Sequence, residues 1–177
     1  MVKKVNKFRQ FIESILSKKS FTNKTSMTGK ELRLLMDRAI KDIAVPFFRN
    51  KGFKGSYPHF RRINDDRVNL LTFQFSMSGP KFVVEISNCS PKGVQRGWGP
   101  DIPPSKCTAH DMHLRHRIGA IKHNTHYWFD FSSGETNSNI YAERAKEIMS
   151  LWDEAETWWD EDPHEQRFAL IPKDNEN

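Results

Sequence analysis

The sequence predicts an α+β fold in which an antiparallel meander of about five strands packs against N-terminal and C-terminal helices. Apolar residues repeat every three or four positions near both ends of the chain, and they alternate with polar residues through its middle, which are the patterns of helices and strands respectively. The chain has 177 residues, with 13 Phe and 5 Trp. This is enough bulky apolar material to close one hydrophobic core without disulfide bonds.

The first 27 residues predict a basic amphipathic helix, from about residue 3 to residue 18, followed by a polar linker. Such a helix can lie on a membrane surface or hold a partner, but its aromatic stripe is more typical of packing against its own domain. Residues 28–172 are predicted to form a single α+β domain, and residues 173–177 a disordered tail.

A second helix is predicted to begin at Thr28, because Thr28 and Glu31 have the spacing of a capping box. Apolar residues continue at helical spacing as far as Ile43. Pro46 has no amide hydrogen and is expected to kink or end this helix, unless residues 45–49 form one further turn. Gly52 is a natural stop after a basic last turn.

The middle of the chain predicts strands at residues 59–63, 67–76 and 81–89, with turns between them. In the second of these strands only one alternating face is strongly apolar, so we expect a sheet that is covered on one side.

A long loop is predicted at residues 90–110, which are rich in Pro and Gly, and loops of this length in compact domains are often functional or mobile. Residues 112–120 and 126–132 predict two further strands. Residues 139 to about 160 predict one long helix, which Pro163 would end.

The composition excludes several classes of protein. The chain has only two cysteines, too few for the disulfide framework of a secreted protein. No apolar run approaches the roughly 20 residues that cross a bilayer, and charges interrupt the N-terminal apolar stretch before a signal peptide could form. We therefore expect a cytoplasmic protein with no membrane span.

The net charge of +6 is unevenly distributed. Residues 1–62 carry 16 Lys and Arg against 4 Asp and Glu, whereas residues 137–177 carry 4 against 11. The basic first third could attract an anionic partner, or the two ends could face each other within the fold. The second interpretation is slightly favoured.

A cluster of histidines and one cysteine suggests a metal site, with zinc as the candidate ion. Its members lie three residues apart, which would align them on one side of a helix. The surrounding sequence is broken by Pro or extended, however, and a step of three alternates faces on a strand. Ordinary surface and strand histidines are therefore favoured over the candidate ligands Cys107, His110, His113 and His116.

A basic stretch that is interleaved with aromatic residues suggests nucleic-acid contact, in which cations neutralise phosphates and exposed rings stack on bases. The alternative is that the rings point into the core and the cations are solvated. The candidate contact residues are Arg49, Lys51, Lys54, Tyr57, Arg61 and Arg62.

Short motifs along the chain give a family resemblance. A helix leads to Gly52-Phe53, an aromatic strand at 57–62, the sequence Phe73-Gln74-Phe75-Ser76, a Gly turn and a strand at 82–86, followed later by motifs at 115–119 and 127–129. This layout resembles the bacterial domain-of-unknown-function family 4304 over roughly residues 34–160. The resemblance implies a small antiparallel sheet flanked by helices, and no particular reaction.

Three functions stay open. The leading hypothesis is a non-enzymatic domain that binds a protein partner, for example as an immunity protein that neutralises a toxin. An exposed Trp is a frequent interface anchor, so Trp98 in the long loop and Trp158 beside Trp159 are the candidate contacts. The alternatives are a nucleic-acid-binding accessory protein that uses residues 49–62 and a metal-dependent enzyme that uses residues 107–126.

Overall fold

A computed structural model of the chain describes residues 10–11, 13–14, 26–97 and 99–161. The predicted linker and tail, and most of the predicted N-terminal helix, lie outside these residues. The four described positions before residue 26 are helical, and the guanidinium carbon of Arg38 lies 5.8 Å from the centre of the Phe11 ring. No helix in the described part of the chain is both long and apolar enough to cross a membrane.

Helix α1 (Gly29–Ala39) begins with the capping box that the sequence predicts. The Glu31 N–H donates to Thr28 Oγ1 at 3.3 Å, and the Thr28 N–H donates to Glu31 Oε2 at 2.8 Å. Two of the amide hydrogens that a helix start leaves unpaired are thus satisfied. The apolar side of the helix enters the main core through Leu32, Leu35, Met36 and Ala39.

Pro46 neither ends nor breaks this helical segment. A π-helical turn at Ile40–Ala44 leads directly into helix α2 (Val45–Asn50), which is the further turn that the sequence allowed. The wider turn gives room to the proline ring, which in a regular α-helix clashes with the carbonyl four residues earlier. Gly52, at φ +86°, ends the segment.

The strands form an antiparallel meander, as predicted, with a last short strand added beside β4. The second and fourth strands have the predicted bounds, the third is one residue shorter at each end, and the first was not predicted. The strands are β1 (Lys54–Ser56), β2 (His59–Ile63), β3 (Val68–Phe75), β4 (Lys81–Cys89), β5 (His116–Arg117) and β6 (Phe129–Asp130).

The last two strands are much shorter than the predicted 112–120 and 126–132, because the chain leaves the sheet between them. Gly119 adopts φ +96°, and the short helix α3 (Ala120–His123) follows it. Glu154 Oε1 accepts the amide hydrogens of Gly119 and Ile121, each at 3.1 Å. A carboxylate distant in sequence therefore stabilises the turn that ends β5.

The predicted long C-terminal helix is divided into helix α4 (Ile140–Ser150) and helix α5 (Trp152–Asp160). Leu151 lies between them with φ −99° and ψ 6°, which is outside the helical range. Trp152 and Trp159 from α5 contact Phe53, with ring centres 5.6 and 5.5 Å away. Helix α5 thereby closes the main core.

Helices cover one face of the sheet and a loop covers part of the other, so the expectation of a single covered side was wrong. The main core lies between the helices and the face that carries Phe60, Phe73 and Phe82. On the opposite face, the loop at residues 90–112 places Cys107 and Ala109 against Val68 and Leu70 in a second, smaller apolar cluster. We call this opposite side the second face.

Part of the acidic C-terminal region faces basic side chains of the sheet within the fold. Arg62 Nη2 on β2 lies 2.6 Å from Glu156 Oε2 on α5, and His116 Nε2 on β5 lies 2.6 Å from Glu154 Oε1 on the same helix. The acidic C-terminal helix therefore faces Arg62 and His116 of the sheet, in agreement with the interpretation that the sequence slightly favoured.

Candidate functional site

Four polar side chains form a row across the second face of the sheet. The strand register pairs His59 with Thr72, Thr72 with Glu85, and Glu85 with Arg117, so β2, β3, β4 and β5 each contribute one residue. Paired residues of neighbouring strands point to the same face, which here is the one away from the main core. Thr72 and Glu85 are buried, and the two ends of the row are half-buried.

Glu85 lies in the row with two arginines and a histidine around its carboxylate. Arg117 Nε lies 3.4 Å from Oε1, Arg115 Nε lies 3.6 Å from Oε2, and His110 Nε2 lies 3.7 Å from Oε2. His110 belongs to the loop that covers part of the second face, so the site joins the loop to the sheet. We call Glu85, His110, Arg115 and Arg117 the Glu85 cluster.

The Glu85 cluster contains more cationic than anionic groups. Two arginines share one carboxylate, and their distances to it exceed the 2.7–2.9 Å that charge-assisted hydrogen bonds typically have. Within the described residues, Glu85 Oε2 is buried and has no hydrogen-bond partner. The arginine side chains are 39% and 28% exposed. Their guanidinium groups therefore retain donors that can bind an acceptor from outside.

At the other end of the row, His59 bonds inward. Its Nδ1 lies 3.1 Å from Thr72 Oγ1, which also accepts the Ala109 N–H at 3.3 Å. The His59 ring meets the ring of His110 edge-on, with centres 5.7 Å apart. Burial, followed by the proximity of His110 and Arg61, holds the pKa of His59 below its ordinary value, so the neutral ring is favoured.

Trp128 extends the site beyond the Glu85 cluster. The centre of its ring system lies 5.0 Å from Lys81 Nζ and 5.1 Å from the guanidinium carbon of Arg117. The side chain is half-buried. A partly exposed aromatic ring with cations within about 6 Å of its centre gains cation–π attraction, and Trp and Arg are enriched among the energetically important residues of protein interfaces.

A family model described as "Domain of unknown function (DUF4304)" matches residues 43–162. The chain belongs to this family. The match confirms the resemblance given by the short motifs, and it contains all four members of the polar row. Neither the curated proteins nor the solved structures gave a match.

In this DUF4304 chain, all three arginines predicted to contact nucleic acid bind groups of the protein itself. Arg49 Nη1 donates to the Phe53 carbonyl at 2.9 Å, and Arg61 Nε donates to the Cys107 carbonyl at 3.0 Å. Arg62 donates two hydrogen bonds to Glu156, at 2.6 and 3.0 Å. These guanidinium groups therefore organise the fold, and a phosphate would compete with the bonds they already make.

The other predicted nucleic-acid contacts are dispersed. Lys51 Nζ lies 5.7 Å from the centre of the Phe47 ring, and the Tyr57 hydroxyl donates to Asp37. Burial, followed by this hydrogen bond, raises the pKa of Tyr57. Lys54 is exposed in β1. The nucleic-acid role of these residues stays a prediction.

The predicted metal ligands do not come together. The Cys107 thiol is buried and donates to the Ile102 and Pro103 carbonyls, each at 3.5 Å. His110 belongs to the Glu85 cluster, His113 is exposed, and His116 points to the helix side, where it bonds to Glu154. In the described part of the chain, no group of three or more His, Cys, Asp or Glu side chains is arranged to hold a metal ion.

The two predicted interface tryptophans have different outcomes. Trp98 lies outside the described residues. Trp158 is half-buried, and its ring stacks on that of His116 at 5.9 Å, whereas Trp159 is fully buried and donates its Nε1–H to the Ser87 carbonyl at 2.8 Å. The structure thus separates the neighbouring pair, as expected for adjacent positions on a helix.

Sequence reasoning missed the polar row because its members are distant along the chain. Each hairpin register could have revealed part of it, since the predicted turns at residues 64–66 and 78–80 nearly fix which residues pair. His59, Thr72 and Glu85 also occupy polar positions of alternating strands. The contributions of His110 and Arg115 come from the loop fold, which has no comparable sequence signal.

The row does not have the geometry of a nucleophilic active site. Thr72 Oγ1 and His59 form the closest hydroxyl–imidazole pair of the row, but Thr72 is 0% exposed, so a substrate cannot reach its oxygen. The accessible groups of the site are the arginines, His110 and Trp128. These side chains can hold a ligand by charge and by stacking.

Proposed function

We propose that this chain is a non-enzymatic domain that binds an acidic protein partner through the Glu85 cluster. One observation carries the proposal: Arg115 and Arg117 are partly exposed and share a single buried carboxylate at 3.6 and 3.4 Å. A carboxylate from a partner can bind the donors that Glu85 leaves open. Such charge-assisted bonds strengthen when an interface excludes water.

The composition of the site favours a protein over a nucleic acid. Asp130, paired with Lys81 in the register, and Glu85 give the surface mixed charge, so a uniformly anionic phosphate backbone would meet carboxylates as well as cations. Arg and Trp are enriched at the energetic centres of protein interfaces. Neutralisation of an acidic toxin would be one use of such a surface.

The experiment compares two variants that remove the same charge from different places. Arg115→Gln with Arg117→Gln removes two positive charges from the Glu85 cluster. Lys92→Gln with Lys146→Gln removes two from exposed positions elsewhere. Each purified protein is immobilised, incubated with lysate of the source cell, and washed with a salt series after nuclease treatment of half the sample.

The proposal expects one protein from the lysate that stays bound after nuclease treatment. The wild type and the lysine variant should retain this protein, and the arginine variant should lose it. Circular dichroism and thermal unfolding verify that both variants fold. Capture of nucleic acid that disappears with nuclease and salt would instead support the alternative based on residues 49–62. Equal capture by both variants would overturn the assignment to the Glu85 cluster.

A further inference from the structure

A cleft lies at the opposite end of the hairpin from the small apolar cluster, between the start of helix α1 and the turn that joins β3 to β4. Its volume is about 460 Å³, within the range of roughly 300–1,000 Å³ that small-molecule sites have. Helix α1 contributes Gly29, Lys30 and Arg33. The other side is formed by the hairpin and by the chain after β6, through Phe75, Ser76, Met77, Gly79, Pro80 and Phe131.

The lining of the cleft is mostly apolar on the hairpin side. Phe75 is half-buried, and Phe131 is completely buried at the main core. Met77 has a fully exposed side chain at the hairpin tip, the most exposed of the large apolar residues among those described. A flexible exposed thioether next to a cleft can fold over a bound apolar group, and burying its surface would be favourable.

The rim of the cleft is cationic on the helix side. The Arg33 guanidinium carbon lies 4.5 Å from the centre of the Phe75 ring, so the arginine packs over the apolar wall. Within the described residues, neither Arg33 nor Lys30 forms a hydrogen bond or an ion pair. The neighbouring Glu31 carboxylate is turned toward Thr28 by the capping box. Among the described residues, these two cations therefore have no hydrogen-bond or ion-pair partner beside the cleft.

We propose that this cleft binds a small carboxylic acid with an aliphatic or aromatic tail. The tail lies on Phe75, Met77 and Pro80, and the carboxylate lies between Lys30 and Arg33. Apolar burial supplies affinity, and the charge-assisted bonds select a carboxylate over a neutral or cationic head group. This site is separate from the Glu85 cluster, and α1 precedes the residues of the family match.

The test uses three probes that share one tail and differ in the head group: octanoate, octanol and octylamine. Each is titrated into the full ¹⁵N-labelled chain, and backbone amide shifts are followed by NMR. The proposal expects saturable shifts of Gly29, Ser76 and Gly79 with octanoate at a Kd of about 1 mM or tighter. It expects at least tenfold weaker binding of octanol and octylamine.

Two variants separate the cleft from non-specific binding. Arg33→Met keeps the apolar stem on Phe75 and is expected to weaken octanoate binding about tenfold or more, since it removes one charge-assisted bond. Lys92→Met, at an exposed position elsewhere, is the matched control and should bind as the wild type does. Gly29→Trp adds a ring where an added Cβ meets no atom within 4 Å, and it should occlude the cleft.

Three results would overturn the proposal: equal binding of all three probes, shifts confined to other residues such as those near Glu85, or no saturable shift at all. The thermal unfolding midpoint of Arg33→Met is expected to stay close to that of the wild type, because Arg33 is exposed. A loss of octanoate binding with unchanged folding thus reports on the site itself.

Discussion

Glu85 determines the charge balance of the second face, because it is the carboxylate that the two arginines and His110 share. Glu85→Gln keeps the shape of the side chain and leaves the two arginines without their counter-charge. We expect the free energy of unfolding to fall by about 1 kcal/mol at low salt, a loss limited by the partial exposure of the arginines. The loss should shrink in high salt, which screens repulsion between the cations.

Urea unfolding at two ionic strengths measures this effect. Glu143→Gln is the matched control, since Glu143 is an exposed residue of α4 and its loss removes the same charge. If Glu85→Gln were as stable as the control at both salt concentrations, the carboxylate would not be holding the cluster together.

His59 makes the stability of the fold depend on pH in a defined direction. Its folded-state pKa is lowered, first by burial and then by His110 and Arg61, while Asp111 acts in the opposite sense. As the pH falls below the unfolded value of about 6.5, the unfolded chain takes up a proton first, so His59 disfavours folding in acid. The stability is fully present above this pH and is lost as the pH falls toward the lowered pKa.

We therefore expect the free energy of unfolding to fall less in His59→Asn than in the wild type as the pH is lowered from about 7 to 5. Urea unfolding at four pH values measures the two slopes. His126→Asn, at an exposed histidine, is the matched control. Parallel curves for the wild type and His59→Asn would show that the histidine titrates alike in both states.

At the scale of elements, the loop at residues 90–112 acts as a cover for the second face. Arg61 holds it from the sheet, donating to the Cys107 carbonyl at 3.0 Å and the Ser105 carbonyl at 2.5 Å. Cys107 is part of this loop, packs against the sheet and is 0% exposed, so an alkylating reagent reaches it only when the loop opens. Cys89 is also a poor nucleophile, because burial, followed by the proximity of Cys107, raises its pKa to about 12.

Arg61→Met should accelerate alkylation of Cys107 in the native protein by roughly 5–30-fold, which corresponds to the loss of about 1–2 kcal/mol of loop anchoring. Peptide mass spectrometry after timed iodoacetamide treatment distinguishes Cys107 from Cys89. Lys106→Met is the control within the same loop, because Lys106 is exposed. Equal rates in the two variants would mean that Arg61 does not hold the cover closed.

The elements that the sequence predicted well are those whose signal is local. The capping box at Thr28 and the alternation of β2 and β4 depend on neighbouring residues, and their bounds are correct. The end of β5 depends instead on Glu154, which lies 35 residues beyond Gly119 and accepts its amide hydrogen. No local sequence pattern predicts such a contact. The sequence therefore predicted a strand at residues 112–120, whereas β5 contains only His116 and Arg117.

The candidate site was harder to predict for a related reason. The sequence named His110 only as a candidate metal ligand, together with Cys107, His113 and His116, and favoured ordinary surface and strand histidines. Spacing along the chain suggested that grouping, whereas the fold places His110 at Glu85 and His116 on the opposite face of the sheet. His116 lies on β5, where successive side chains alternate between the faces, whereas His110 belongs to the loop, so spacing along the chain could not show that they lie on opposite sides of the sheet.

Over the whole molecule, the basic first third and the acidic last helix are joined at Arg62. Its guanidinium donates two hydrogen bonds to Glu156 and lies 5.0 Å from the Phe53 ring centre and 5.4 Å from that of Trp159. Burial by itself would raise the pKa of Glu156, but the hydrogen bonds from Arg62 and Trp152 outweigh it and lower that pKa. The pair thus links β2 to α5 across the edge of the main core.

Arg62→Lys keeps the positive charge and loses the planar two-bond contact, so we expect it to reduce the free energy of unfolding by about 1–2 kcal/mol at pH 7. Arg67→Lys is the matched control, since Arg67 bonds to Asp160, whose side chain is 75% exposed, and a surface pair contributes less than about 1 kcal/mol.

The same contact makes the effect of Arg62→Lys depend on pH. The lowered pKa of Glu156 stabilises the fold fully only above its ordinary value of 4.5, so the free energies of unfolding of the wild type and Arg62→Lys should converge as the pH falls through the lowered pKa. Urea unfolding at pH 7 and pH 3 measures both effects. If Arg62→Lys and Arg67→Lys lost the same free energy of unfolding, Arg62 would not be the residue that holds β2 to α5.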